Sequence, residues 1–418
     1  MSTIHTLNPV ERQRQMTQKR KILVWFGWLI CAVVAIEVGL RIAHVSYPVG
    51  GKDLFFTWDP NTGVAPRPGA EGLWPTLEYQ VPVHINSQGL RDREHALQKP
   101  PNTFRIAVLG DSYTEALQVP MEKDYSSVLE QQLTGCPSLH GQTVEVMNFG
   151  VNSFSTAQEL LRLRNKVWAY SPDLVILAFD TGNNVFKNSR AIQHDPTRPY
   201  FVEKDGKLVL DDSFARVPGA RARWRWNHFS SWAIKHSRLL QVIAAGSNYL
   251  RYGNIDGLIP NGMGLSPVLY SDPTDPDWQD AWRVSQDLIA EMHQEVVARG
   301  SKFLVLTLSS SIQVEPDPVE RQKLMTRVGI TDVFYPDHRI QQFAISRGIP
   351  VLNLAPYLQK YAEANQVHVH GLRSADHQGL LNELGHRVAG QLIAQKVCED
   401  ILSGAAPTAV AAEHVSAH

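Results

Sequence analysis

Five short apolar runs, Phe104–Leu109, Val144–Asn148, Leu174–Phe179, Phe303–Leu308 and Pro350–Leu354, recur along the chain, each too short for a helix and rich in branched residues. Such runs mark strands buried on both faces. Between and after them, helical stretches are predicted over Asp124–Leu133, Ala157–Tyr170, Asp280–Arg299, Asp337–Arg347 and Leu381–Leu402. Strand and helix alternate, so the economical solution is an α/β fold with a parallel five-stranded sheet covered on both faces.

Three regions depart from that alternation. Residues 45–103 are rich in Pro and Gly and read as an irregular lead-in with short strands such as Tyr79–Ile85. Residues 185–279 lack a clear period and read as an insertion covering one edge of the sheet; they include Arg221–Trp232, "RARWRWNHFSSW", either a surface for an aromatic-stacking ligand such as a sugar or a packed amphipathic segment. The Ala-rich tail, 404–418, has no bulky residues to bury and is expected to be disordered.

The amino end follows different rules. Arg12, Arg14, Lys19, Arg20 and Lys21 precede a nearly unbroken apolar run, 22–40, interrupted only by Glu37. That length suits a bilayer crossing, and the preceding positive charge keeps residues 1–21 cytoplasmic. The reading is an uncleaved single-pass anchor in the inner membrane, with the domain at 104–403 on the periplasmic side. A cleaved signal peptide is the competitor, but no A-x-A site follows the run, and bulky Ile30 before Cys31 argues against a lipid-modified cysteine.

Composition narrows the class. With 43% hydrophobic residues in 418, the chain can fill a large core; 40 basic against 41 acidic side chains leave a formal charge of −1, which gives no global field to recruit nucleic acid.

Chemistry concentrates where strands end. The first run stops in Gly110-Asp111-Ser112, where a helix should begin. Ser112 there is either a nucleophile at the carboxyl edge of a parallel sheet or, with Asp111, only a helix cap. The second run ends in "NFGVNS", with Gly150, and the third in "FDTGNNV", with Asn183. An oxyanion needs several fixed donors converging on one point, and the Ser112 N–H, the Gly150 N–H and the Asn183 side-chain amide are three candidates.

"GDSYT", "NFGVNS" and "TGNN" resemble the first three sequence blocks of the SGNH/GDSL hydrolases, and "LNELGH" resembles the segment after their last block; "INSQGLRDRE" at Ile85–Glu94 resembles membrane-anchored members. The resemblance covers roughly residues 104–400. It implies a flavodoxin-like three-layer α/β/α fold and a serine esterase or acyl-transfer site, with Ser112 as nucleophile and Gly150 and Asn183 as oxyanion donors. In the flavodoxin order the first and last helices lie side by side, which brings Cys136 and Cys398 to the same edge of the domain, as a disulfide or as two buried thiols.

The pattern breaks at the base. A serine nucleophile needs an imidazole to take its proton and usually a carboxylate to orient that imidazole. Counting back from Asn382 in "SADHQGLLNELGH" puts Leu380 at the family's His position and His377 at its Asp position. Either His377 serves as base with Asp376 orienting it, or His386 serves, or no base exists. Asn184 also stands where the family usually has Asp.

No metal or cofactor is expected. His368, His370 and His377 read as surface histidines without a nearby Cys partner, and no Gly-rich phosphate loop is present. The expected function is therefore a membrane-anchored esterase or acyl hydrolase acting on an acylated small molecule or an O-acylated surface polysaccharide. The alternatives are an O-acyltransferase and a catalytically decayed carbohydrate-binding or polysaccharide-assembly protein.

Overall fold

The computed structural model describes residues 9–45, 55–75, 80–252, 267–371 and 379–403. The expected disorder at 404–418 falls outside them, as do Asp376 and His377. The chain divides into two compact units, one of residues 1–50 with 226–259 and one of residues 51–225 with 260–418.

The larger unit is built on five strands, β1 (Thr103–Leu109), β2 (Thr143–Asn148), β3 (Leu174–Asp180), β4 (Lys302–Leu308) and β5 (Val351–Asn353). The long helices of the chain, in order, are α1 (Pro9–Ile42), α2 (Tyr125–Leu133), α3 (Thr156–Asn165), α4 (Ala220–His236), α5 (Arg238–Tyr252), α6 (Pro276–Ala298), α7 (Pro318–Val328), α8 (Tyr335–Ser346), α9 (Ala355–Asn365) and α10 (Glu383–Lys396). All four strand pairings in the sheet are parallel and the order is β5-β4-β3-β1-β2, the flavodoxin arrangement. Every residue of β1 and β3 is buried. Strand side chains alternate between faces, so two cores result. Ala107, Leu109, Val175, Leu177 and Val305 meet α3, α6 and α8. Ile106, Val108, Ile176, Leu304 and Leu306 meet α2, α9 and α10. Three layers follow directly.

The lead-in is more ordered than its composition suggests. Its hairpin, Glu71–Pro75 with Gln80–His84, joins Phe55 and Phe56 in a third core with Leu117, Val151 and Phe154, which lie in the loops after β1 and β2. Buried Arg91 donates to the carbonyls of Glu115 and Val119 and lies 3.5 Å from Asp124. Asp92 accepts the Asn148 N–H at 2.8 Å. The segment thus clamps the two loops that follow β1 and β2.

The insertion, in which no strand–helix period is legible, contains a hairpin, Tyr200–Lys204 with Lys207–Asp211, followed by α4 and α5. The hairpin packs over α3 and α6, with Glu203 paired to Arg283, rather than along an edge strand. Arg221, Arg223 and Arg225 alternate with Ala222, Trp224 and Trp226, a period of two that masks the start of α4. Cys136 and Cys398 form a disulfide, with Cα atoms 5.8 Å apart. In the smaller unit, Gln18–Ile42 of α1 is long and apolar enough to cross a membrane, with a mean hydropathy of 2.3 over its most apolar 18 residues.

Candidate functional site

The crevice of an open α/β sheet opens where successive connections leave on opposite faces, here between β1 and β3 at the carboxyl edge. Ser112 follows β1 and Asn183 follows β3, so both loops leave the sheet at that edge, and Gly150 follows β2 on the other side of β1.

Ser112 opens a single helical turn, Ser112–Glu115, capped by its neighbour: Asp111 Oδ1 accepts the Tyr113 N–H at 3.1 Å. Capping therefore falls to Asp111. The Ser112 hydroxyl is half-buried and has no hydrogen-bond partner among the described residues. Its backbone N–H belongs to the first helical position, where no intrahelical acceptor exists.

Gly150 is required by close approach. A Cβ there would sit 2.6 Å from Thr114 Cβ and against the Glu115 backbone nitrogen, so only a bare α-carbon lets the β2 loop press on the Ser112 turn. Its N–H donates to Asn148 Oδ1 at 2.9 Å, while Asn148 Nδ2 donates to the Thr114 carbonyl at 2.6 Å. An oxyanion would share or replace the Asn148 acceptor.

Asn183 is held from below. Its Nδ2 donates to Asp180 Oδ2 at 2.6 Å, and the Gly182 N–H donates to Asp180 Oδ1 at 2.9 Å. Burial, reinforced by the charge of Asp111, raises the Asp180 carboxyl to about 6 against the pull of Lys187. Lys187 lies 3.3 Å from Asp111. Burial and the same Asp111 also push the Glu159 carboxyl well above its ordinary range. Asn184, where an acid was expected, is fully buried and donates to Thr156 at 3.3 Å.

The histidines divide. His370 is not a surface residue: it is 2% exposed, faces Tyr113 edge-on, and bonds Ser309 Oγ at 2.8 Å and the Gly379 carbonyl at 2.7 Å. A carbonyl only accepts, so Nδ1 carries the proton and Nε2 accepts from the serine. Its neighbours in the expected surface set separate, with His368 half-buried 3.8 Å from Glu315 and His377 outside the described residues. His386 is buried in the scaffold, stacked on Tyr125 and accepting that residue's N–H at 3.3 Å, with Gln118 at 3.2 Å on the other nitrogen. Neither of these rings hydrogen-bonds Ser112. Leu380 packs on the core beside α10, and its carbonyl accepts the Gly371 N–H. Among the described residues no group of His, Cys, Asp and Glu forms a metal site.

Sequence reasoning passed over Asp180, Lys187 and the Ser309–His370 pair. Asp180 did leave a signal, as the one polar residue ending an otherwise apolar strand, Leu174–Phe179.

No protein-family model matches the chain. A stretch of 73 residues is 36% identical to an arylesterase of Vibrio mimicus, covering 18% of this chain and 34% of that protein. The match thus spans about a third of the relative's length. Among solved structures the chain is similar to the acetyl xylan esterase AlAXEase, at 14% identity over 70% of this chain and 98% of that one, with a TM-score of 0.36. A lipase/acylhydrolase from Enterococcus faecalis is similar at 14% identity over 71% and 95%, with a TM-score of 0.33.

Proposed function

We propose that the chain is a serine esterase or acyl hydrolase of the SGNH type. The observation that carries this reading is the division of labour in the first loop: Asp111 caps the turn, and the Ser112 hydroxyl stands unengaged at the crevice. Ser112 Oγ attacks the acyl carbonyl carbon and gives up its proton. The resulting tetrahedral oxyanion takes hydrogen bonds from the Ser112 N–H, the Gly150 N–H and Asn183. Collapse expels the alcohol and leaves an acyl-enzyme, which water hydrolyses. His377 accepts and returns the proton, with Asp376 orienting it. Both lie outside the described residues, in a stretch flanked by His370 and Gly379, which are hydrogen-bonded to each other.

In this reading α1 is a single-pass anchor in the inner membrane, with the catalytic unit on the periplasmic side. The basic residues before the span support that orientation, and the Cys136–Cys398 disulfide fits an oxidising compartment. An O-acylated surface polysaccharide is a substrate of suitable location and chemistry; transfer to a second hydroxyl in place of water would make the same site an O-acyltransferase. A second reading, a catalytically silent glycan-binding or polysaccharide-assembly protein, is favoured by Leu380 at the expected base position.

The test is reaction of the full chain with a fluorophosphonate probe and hydrolysis of 4-nitrophenyl acetate. Both should vanish in Ser112→Ala, and hydrolysis should fall at least ~10³-fold in His377→Ala. A folded wild type that is inert in both assays yet retains glycan would replace the esterase reading with the second one.

A further inference from the structure

Helices α4 and α5 carry an exposed aromatic surface that the proposed chemistry does not use. Trp226, Phe229 and Trp232 are 66%, 55% and 54% exposed. They stand three residues apart along α4, so they share a face, and their rings form a continuous row with centroid separations of 5.9 and 6.1 Å. His236 extends the row at 4.8 Å from Trp232. On α5, Ile243 is also exposed, at 58%.

The same compact unit contains α1, and specific bonds join the two parts. Glu37 of α1 caps α5: its carboxylate accepts the N–H groups of Arg238 and Leu239 and the hydroxyl of Ser237, each at 3.0 Å. Arg41 donates to the His236 carbonyl at 2.8 Å. The junction of α4 and α5 is therefore fixed beside residues 37–41 of a span that ends at Ile42. Five residues of helix rise about 7–8 Å, comparable to the headgroup layer on one side of a bilayer.

Resting on the anchored reading above, we propose that α4 and α5 form a membrane-surface element, with the Trp226–Phe229–Trp232 row seated in the headgroup region of an anionic leaflet. Three observations choose lipid as the occupant. The His236 end of the row is bonded to Arg41, one residue before the span ends. Trp is the residue type that prefers this polar–apolar boundary. From Ala220 to Tyr252 the sequence holds six Lys and Arg and no Asp or Glu, and Arg225 is exposed beside the row. That pattern matches anionic headgroups and does not favour self-association.

The experiment uses the full chain with Cys31→Ser and Phe229→Cys, labelled at position 229 with an environment-sensitive fluorophore; Cys136 and Cys398 are already paired. It is reconstituted at one chain per nanodisc of mixed phosphatidylcholine and phosphatidylglycerol. A label at exposed Val319, introduced as Val319→Cys, is the control, and Trp232→Cys is a second probe site. At 229 the expected result is blue-shifted emission, shielding from aqueous iodide, and quenching by headgroup-proximal spin-labelled lipid at least ~2-fold stronger than at 319. A chain that resists carbonate extraction but leaves the 229 label open to iodide overturns this inference alone. So does a label shielded from iodide yet unquenched by spin-labelled lipid, which would mean a protein covering. A chain released by carbonate overturns the anchor, and this inference with it.

Discussion

Asp180 Oδ2 receives the Asn183 side-chain amide at 2.6 Å, so the residue that ends β3 sets the orientation of that amide. The same carboxylate fixes the loop through the Gly182 N–H. Removing both acceptors should free the amide to rotate. Asp180→Ala is expected to lower kcat for an acetyl ester ~10–100-fold with little change in KM, less than the ~10²–10³-fold for loss of a whole oxyanion donor. Steady-state kinetics on Asp180→Ala and Asn183→Ala, with circular dichroism to confirm folding, check this. Unchanged kcat in both would remove Asn183 from the reaction.

Gly150 makes a steric prediction. Any side chain must displace the Ser112 turn, because Thr114 and Glu115 already occupy the Cβ position. Gly150→Ala should cost about 1–3 kcal/mol through overpacking and reduce turnover by more than its stability loss explains. Urea midpoints and turnover of the detergent-solubilised full chain report the two effects separately. Gly150→Ala with wild-type values in both would contradict the close approach.

The Cys136–Cys398 bridge joins positions 262 residues apart and ties the loop after α2 to the turn after α10. Cross-linking distant positions restricts the unfolded chain, and removing such a bond typically costs about 2–5 kcal/mol. Cys136→Ser with Cys398→Ser should lower the urea midpoint, and dithiothreitol should bring the wild type to the same value. Dithiothreitol sensitivity persisting in the double variant would mean that another thiol group is responsible.

The sheet was readable because its strands are buried on both faces, which forces uninterrupted apolar runs such as Leu174–Phe179; the structure adds only Asp180 to that run. Strand order followed from family resemblance. Helices α7 and α9 escaped, since α7 buries little beyond Met325 and α9 buries only Ala355, Leu358 and Ala362, too few positions to stamp a period. Ser112, Gly150 and Asn183 were visible because each follows a strand directly. What stayed hidden depends on packing across the fold. His370 sits in a polar-looking stretch, yet it is buried because Ser309 and Gly379 satisfy both ring nitrogens. Arg91 lies in the charged stretch Arg91–Glu94, yet it is buried because the Glu115 and Val119 carbonyls accept from it.

Two buried groups should tilt the pH dependence of stability in opposite directions. Burial, with the nearby charge of Arg91, lowers His386 from 6.5 to about 3. Between those values the unfolded chain holds a proton that the folded chain lacks, so this group's contribution is complete above 6.5 and is lost as pH falls. Burial raises Asp337 from 3.8 to about 6, only partly offset by hydrogen bonds from Thr307 and Gln313. Here the folded chain keeps a proton that the unfolded chain releases, so the contribution is greatest below 3.8 and falls as pH rises to 6. Substitution separates the two. His386→Gln preserves an acceptor for the Tyr125 N–H, and the wild type's stability advantage over it should be larger at about pH 7.5 than at about pH 4.5. Against Asp337→Asn the wild type's relative stability should instead decline over the same rise in pH. Urea midpoints of the full chain at the two pH values give both differences, and equal trends in the two variants would mean that at least one group does not titrate as its burial dictates.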